Sequence, residues 1–349
     1  MKALKCSDFG TVKSGGTAKL YTMENDAGMK AAVTDFGAAL VNLYVADAEG
    51  NLTDVVLGYD EAADYEAGTQ SVGATVGRNA NRIGGAEFTI NGTNYQLDKN
   101  DNGKNNLHSG KKFYQHRMWE AEKKENGKIT FLLHSPDQDQ GYPGAVDVRV
   151  TYELTEENEL RITYDGTPNQ DTILNLTNHS YFNLNGHDSG DVLGHTVVLD
   201  ADFYTRADAE SIPTGELVDV SGTPMDFRAE KTIGKEIGQN YEALRLGNGY
   251  DHNWVLKNEG KFAKVAQATG DKSKIRMEVW TDLPGMQMYT ANFLDKEAGK
   301  NGAVYGFRSA VCFETQYFPD AIHHDNFESP VCKANENYHT VTSYRFRIA

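Results

Sequence analysis

Residues 146–154 read VDVRVTYEL, and their polarity alternates along the whole stretch. Val146, Val148, Val150, Tyr152 and Leu154 fall to one side. Asp147, Arg149, Thr151 and Glu153 fall to the other. Side chains alternate across a sheet, so this period of two predicts a strand with one buried face. A polar turn over Thr155 to Asn158 leads into LRITY at 160–164, where Leu160, Ile162 and Tyr164 alternate again. The two segments predict a hairpin. A second hairpin is predicted in FTINGTNYQL, residues 88–97, because Asn91-Gly92 supplies the two positive-φ positions of a tight turn. That turn sets Phe88 opposite Tyr95. Further strands are expected at 128–134, 195–201, 274–280, 285–291 and 309–316. Helical patterning is confined to short pieces near 58–66 and 226–238.

Many short strands joined by glycine-bearing turns imply an all-β chain, a sandwich or a barrel. The 349 residues, with no Pro/Ser-rich linker and no fixed repeat, favour one large antiparallel β-sandwich over 1–349. A net charge of −16 opposes phosphate backbones and anionic headgroups, so neither nucleic acid nor a membrane is expected as partner. No apolar run reaches the roughly 18 residues of a membrane span. Met1 to Leu20 lacks the apolar core of a signal peptide. The three cysteines, Cys6, Cys312 and Cys332, fit neither a disulfide framework nor a zinc spacing. A reducing, cytoplasmic setting is the expectation.

Two strands carry unusual polar faces. In DTILNLTNHSYFNL (171–184), alternation sets Leu174 and Leu176 against Asn175, Thr177 and His179. An ordinary wet face would account for this. However, Asn, Thr and His are hydrogen-bonding groups rather than the Lys and Glu of such a face, and a sugar-binding face is the sharper reading. In SAVCFETQYFPD (309–320), Glu314 aligns with Ala310, Cys312 and Gln316, opposite Val311, Phe313, Thr315 and Tyr317. A carboxylate beside two small residues has room for a ligand. Elsewhere, His108 lies in the polar loop NNLHSG, and Asp251 precedes a Trp-Val-Leu run in NGYDHNWVL. Arg78 and Arg82 could donate to hydroxyls or pair with carboxylates. The glycines of VGRNANRIGGAEF do not form a dinucleotide fingerprint, and neither a phosphate loop nor a nucleophile elbow occurs. His323-His324-Asp325 is a weak metal candidate, since neighbours in an extended chain point apart.

In this order, VGRNANRIGGAEFTINGTNYQL, NNLHSG, NLTNHSYFNL, GYDHNWVL, PGMQMYTANFL and FETQYFPDAIHH resemble the galactose mutarotase (aldose 1-epimerase) family. The resemblance spans nearly the whole chain. It implies a very large antiparallel β-sandwich with an open cleft on one sheet. It also implies exchange of α and β anomers of a free aldohexose such as galactose or glucose, without cofactor or metal. By the same resemblance Glu314 is the catalytic base and His179 the acid. Asn81, Arg82, His108, Asp251 and Gln287 bind the sugar. Departures are small: His-Ser-Gly replaces the commoner His-Gly-Gly, and AIHHDNF replaces an Ile-Asn-His segment. A Glu314 carboxylate near His179 is expected to favour the imidazolium. The rival readings are a hexose-phosphate mutarotase, which needs more cations, and a non-catalytic sugar-binding module, which would not need both Glu314 and His179.

Overall fold

The computed structural model describes residues 1–13 and 15–349. Every strand pairing in its three main sheets is antiparallel. The largest sheet has nine strands, in the order Glu120–Glu125, Lys128–Ser135, Val146–Leu154, Glu159–Gly166, Tyr338–Ile348, Ile275–Thr281, Ala263–Thr269, Thr196–Leu199 and Lys231–Thr232. A six-stranded sheet runs Tyr181–Phe182, Val311–Gln316, Gly285–Tyr289, Asp251–Val255, Phe203–Ala207 and Pro213–Asp219. A five-stranded sheet is built from the first 54 residues, Lys5–Thr11 to Leu52–Asp54.

The alternating stretch behaves as its pattern requires. Val150 pairs with Tyr164, Tyr152 with Ile162 and Leu154 with Leu160. All six bury into one core with Met277, Val279 and Tyr344 of the same sheet. Opposite them pack Trp254, Met286, Met288, Val311 and Phe313 of the six-stranded sheet, and Met23, Val33 and Leu43 of the five-stranded one. The result is a large antiparallel sandwich. The 88–97 hairpin forms as well, with Phe88 opposite Tyr95 and their rings stacked at 5.3 Å.

Three local expectations change. First, 171–184 is not one strand. Thr172–Ile173 pairs with Val331–Cys332, Thr177–Asn178 with Thr75–Val76, and Tyr181–Phe182 with Val311–Cys312. The chain hands itself from partner to partner, and its polar side chains take over backbone bonds that a ladder would supply. Asn175 Oδ1 accepts from the Tyr317 N–H, and its Nδ2 donates to the Tyr317 carbonyl. Its face is therefore buried rather than wet. Second, the helix near 58–66 is Ala62–Ala67, but 226–238 yields one short turn at Ile233–Lys235. Lys231–Thr232 is drawn instead into the nine-stranded sheet. A helix at Glu242–Leu246 was not foreseen. Third, Ala321–His323 forms a tight turn rather than extended chain, so His323 and His324 both face Asp320, at 2.7 and 3.5 Å. Among the described residues no helix is long and apolar enough to cross a membrane.

Candidate active site

Strand Val311–Gln316 supplies the centre of the site. Its odd positions Val311 and Phe313 enter the main core, while Ala310 and Cys312 enter a second cluster with Tyr181 and Tyr289. On this second side, past the small residues, the strand faces a cavity that is open to solvent. Glu314, His179, Asn81, Arg82, His108, Asp251 and Gln287 all line it. Residues separated by up to 233 positions thus converge on one cavity, because three strands of the six-stranded sheet meet the segments that carry Asn81–Arg82, His108 and His179 there.

Glu314 Oε2 lies 3.6 Å from His179 Nε2, and the two groups are 2% and 6% exposed. Burial pushes the Glu314 carboxyl well above the usual carboxylate range; the Asp251 charge adds to this and Arg82 opposes it. Burial also lowers His179 to about 4. This corrects the expectation of an imidazolium. Loss of water disfavours both charges, and a protonated carboxyl exerts little pull on the ring. The resting pair is therefore uncharged. His179 is held in place by Tyr181, stacked at 5.0 Å, by the edge of His108 at 5.6 Å, and by its backbone N–H, which donates to the Ala74 carbonyl.

His108 is positioned by Asn81. The His108 N–H donates to the Asn81 carbonyl, and the Asn81 N–H donates to His108 Nδ1 at 3.1 Å. Both residues have positive φ, 62° at Asn81 and 53° at His108, which brings the loops into register. A backbone N–H only donates, so Nδ1 of His108 carries no proton. The neutral ring then bears its proton on Nε2. Burial lowers His108 well below the ordinary histidine range, so it stays neutral. Asn81 Oδ1 accepts from the Arg82 N–H, and Arg82 Nε donates to Asp101 at 2.9 Å. Gln287 pairs in register with Glu314 on one side and Asn253 on the other. Its Nε2 donates to Asp251 Oδ1 at 2.7 Å, so it orients that carboxylate. Burial raises Asp251, opposed by Arg82 and by the Gln287 bond.

Potential ligand atoms of His108, His179 and Glu314 lie within 4.8 Å of one another. The tautomer of His108 argues against a metal there. A metal-bound imidazole donates its remote N–H outward, whereas His108 Nδ1 receives one. His108 instead offers its Nε2–H to a ligand oxygen.

Not every suspected residue joins the site. Arg78 is fully buried and donates to Ser135 and to the Pro136 and Pro143 carbonyls. Asn175 is spent on the Tyr317 backbone. Thr177 Oγ1 is buried without a partner and does not line the cavity.

The aldose 1-epimerase family profile matches residues 19–345. The chain belongs to the aldose 1-epimerase family. It is accordingly an isomerase acting on carbohydrates. It is 38% identical to the galactose mutarotase of Homo sapiens over 98% of each chain, and 33% identical to the aldose 1-epimerase of Escherichia coli K12 over 95% of this chain and 96% of that one. A GalM/aldose epimerase homologue from C. elegans superposes with a TM-score of 0.88 at 30% identity, covering 95% of this chain and 99% of that one.

Within this epimerase cavity, sequence reasoning missed Tyr181, Tyr289, Phe293, Leu107 and the loop Thr69 to Ser71. Two of these were within reach of alternation. Tyr181 stands two residues from His179, and Tyr289 two from Gln287. Phe293, 59% exposed and stacked on Tyr289, leaves no periodic signal.

Proposed function

We propose that the chain interconverts the α and β anomers of free aldohexoses such as D-galactose and D-glucose, with Glu314 as general base and His179 as general acid. The observation that carries this reading is the 3.6 Å approach of Glu314 to His179 in the wall of a cavity edged by Asp251, Arg82 and His108. The C1 hydroxyl and the ring oxygen share one carbon, so base and acid must be close neighbours to serve both.

Ring opening starts with transfer of the Glu314 proton to His179 Nε2, 3.6 Å away, which leaves a carboxylate beside an imidazolium, and then runs in one concerted exchange. Glu314 takes the proton of the C1 hydroxyl, the C1 carbonyl forms, and the C1–ring-oxygen bond breaks. Its electron pair moves to the ring oxygen, which takes the His179 Nε2 proton. The open aldehyde faces a protonated Glu314 and a neutral His179. This is the uncharged arrangement that burial favours, so the dry site stabilises the open-chain complex relative to the charged pair. Rotation about C1–C2 turns the other carbonyl face toward the chain hydroxyl. Closure returns both protons. Each group is expected to contribute roughly 10²–10⁴-fold.

Asp251, held by Gln287, and the fixed Nε2–H of His108 would hold sugar hydroxyls, with Arg82 and Asn81 at the rim. His108 is poorly suited to be the acid. With Nδ1 blocked by a donor, loss of its Nε2 proton would leave an imidazolate. A phosphorylated hexose fits less well, because among the described residues Arg82 is the one Lys or Arg in the lining and it already pairs with Asp101. We read residues 1–349 as one catalytic unit. The free thiols of Cys6, Cys312 and Cys332 support a reducing, cytoplasmic setting. Polarimetry with fresh α-D-galactose and α-D-glucose tests the function. Acceleration to the equilibrium rotation is expected with both. Sugar binding without acceleration would indicate a binding module, and acceleration confined to hexose phosphates would indicate the related branch.

A further inference from the structure

The shuttle depends on what stands behind the catalytic imidazole. Behind His108 stands a backbone N–H, a donor only. Behind His179 stands Cys312, with Sγ 3.7 Å from Nδ1. Cys312 is fully buried, and it pairs in register with Tyr181 on one side and Tyr289 on the other. These are the two rings that flank His179, at 5.0 and 6.2 Å. The thiol is therefore built into the floor under the imidazole.

A thiol sulfur is a weak, uncharged acceptor. We propose that Cys312 is a positioning residue for anomer exchange: its sulfur accepts the Nδ1–H of His179 throughout the cycle, so that only the Nε2 proton moves. This rests on the assignment of His179 as the acid. The imidazolium needs an acceptor at Nδ1, and so does the neutral ring left after Nε2 has given its proton to the sugar. One sulfur serves both states without reorganisation. It also carries no charge. A carboxylate in its place would stabilise the imidazolium and weaken it as an acid toward the ring oxygen, which is a poor base. Burial and the nearby Glu314 and Asp251 hold the Cys312 thiol well above its ordinary range, so it remains a neutral thiol.

The test compares Cys312→Ala, Cys312→Ser, His179→Asn and the double variant Cys312→Ala/His179→Asn by polarimetry. Cys312→Ala is expected to lose roughly 10-fold in kcat with KM changed less than about 2-fold. Cys312→Ser, whose hydroxyl also accepts, should return kcat to within about 3-fold of the parent. In the His179→Asn background, Cys312→Ala should cost nothing further, because it acts through the missing ring. Parental kcat in Cys312→Ala, a serine variant as slow as the alanine one, or additive losses in the double variant would each overturn the proposal. If His179→Asn kept parental turnover, the acid assignment itself would fall. If it were inactive while Cys312→Ala was normal, only the role of Cys312 would. Histidine ¹⁵N NMR of the unmodified protein gives a reading free of any folding defect. A protonated Nδ1 on His179 across the pH plateau is expected, and an unprotonated Nδ1 would refute the inference.

Discussion

Acid should leave the enzyme working far below the pH at which an ordinary histidine titrates. A free imidazole has a pKa near 6.5. Burial brings His179 to about 4, a differential of roughly 3 kcal/mol against the imidazolium at about 1.4 kcal/mol per unit. The active pair holds one proton shared between Glu314 and His179. A second proton at low pH removes the base and stops turnover. The acid limb of kcat/KM is thus expected near pH 4 and belongs to the pair rather than to one residue. At pH 5.5 a limb near 4 leaves about 97% of the plateau rate, whereas a limb near 6.5 would leave about a tenth. On the alkaline side the shared proton is lost, and the raised Glu314 carboxyl moves that limb above the usual carboxylate range. Polarimetric rates from pH 3.5 to 9, with circular dichroism to exclude unfolding, measure both limbs. The limb near pH 4 should disappear in His179→Asn along with most of the activity. An acid limb at pH 6 to 7 in the unmodified enzyme would refute the desolvation argument.

Other changes should report on binding and stability. Asp251→Asn removes a charged hydroxyl acceptor and is expected to lower kcat/KM by roughly 10–100-fold, the effect of about 1.5–3 kcal/mol for a charged hydrogen bond; steady-state kinetics within 2-fold of the parent would remove Asp251 from the site. Lys300, buried against the five-stranded sheet, donates to Asp54 and to the Val41 and Val56 carbonyls, at 2.7 to 2.8 Å. Lys300→Met should destabilise the fold by about 3 kcal/mol, the low end for a broken buried pair because Asn42 and the Leu43 N–H still serve Asp54. An unchanged urea midpoint would contradict this. Activity should survive exhaustive dialysis against a chelator, and a complete loss that metal restores would reopen the His108–His179–Glu314 cluster as a metal site.

The parts of the fold visible in the sequence are those governed by local alternation. Val146–Leu154 and its hairpin partner bury one face and need no distant information to do so. Asn91-Gly92 fixes a register by turn geometry alone. Residues 171–184 were harder, because Asn175 and Asn178 satisfy backbone groups of other segments, and such long-range bonds leave no periodic trace. The short turn at Ile233–Lys235 shows sheet pairing of Lys231 and Thr232 overriding a weak helical pattern. The two catalytic candidates and the five residues expected to bind sugar were legible through motif order, and all seven reach one cavity. Their protonation was not legible. It depends on burial at Glu314 and His179, and on a backbone donor at His108 that arises only when two positive-φ loops meet.

The central claim is that Glu314 removes the C1 hydroxyl proton. Glu314→Gln preserves the shape of the strand and abolishes the basicity, so polarimetric mutarotation of α-D-galactose by this variant is the most direct measurement. A fall in kcat of roughly 10²-fold or more is expected, with the thermal unfolding midpoint kept or raised, since folding must hold the raised Glu314 carboxyl protonated while the unfolded chain ionises it, a cost that a neutral amide does not carry. Turnover close to the parent in a folded variant would contradict the assignment.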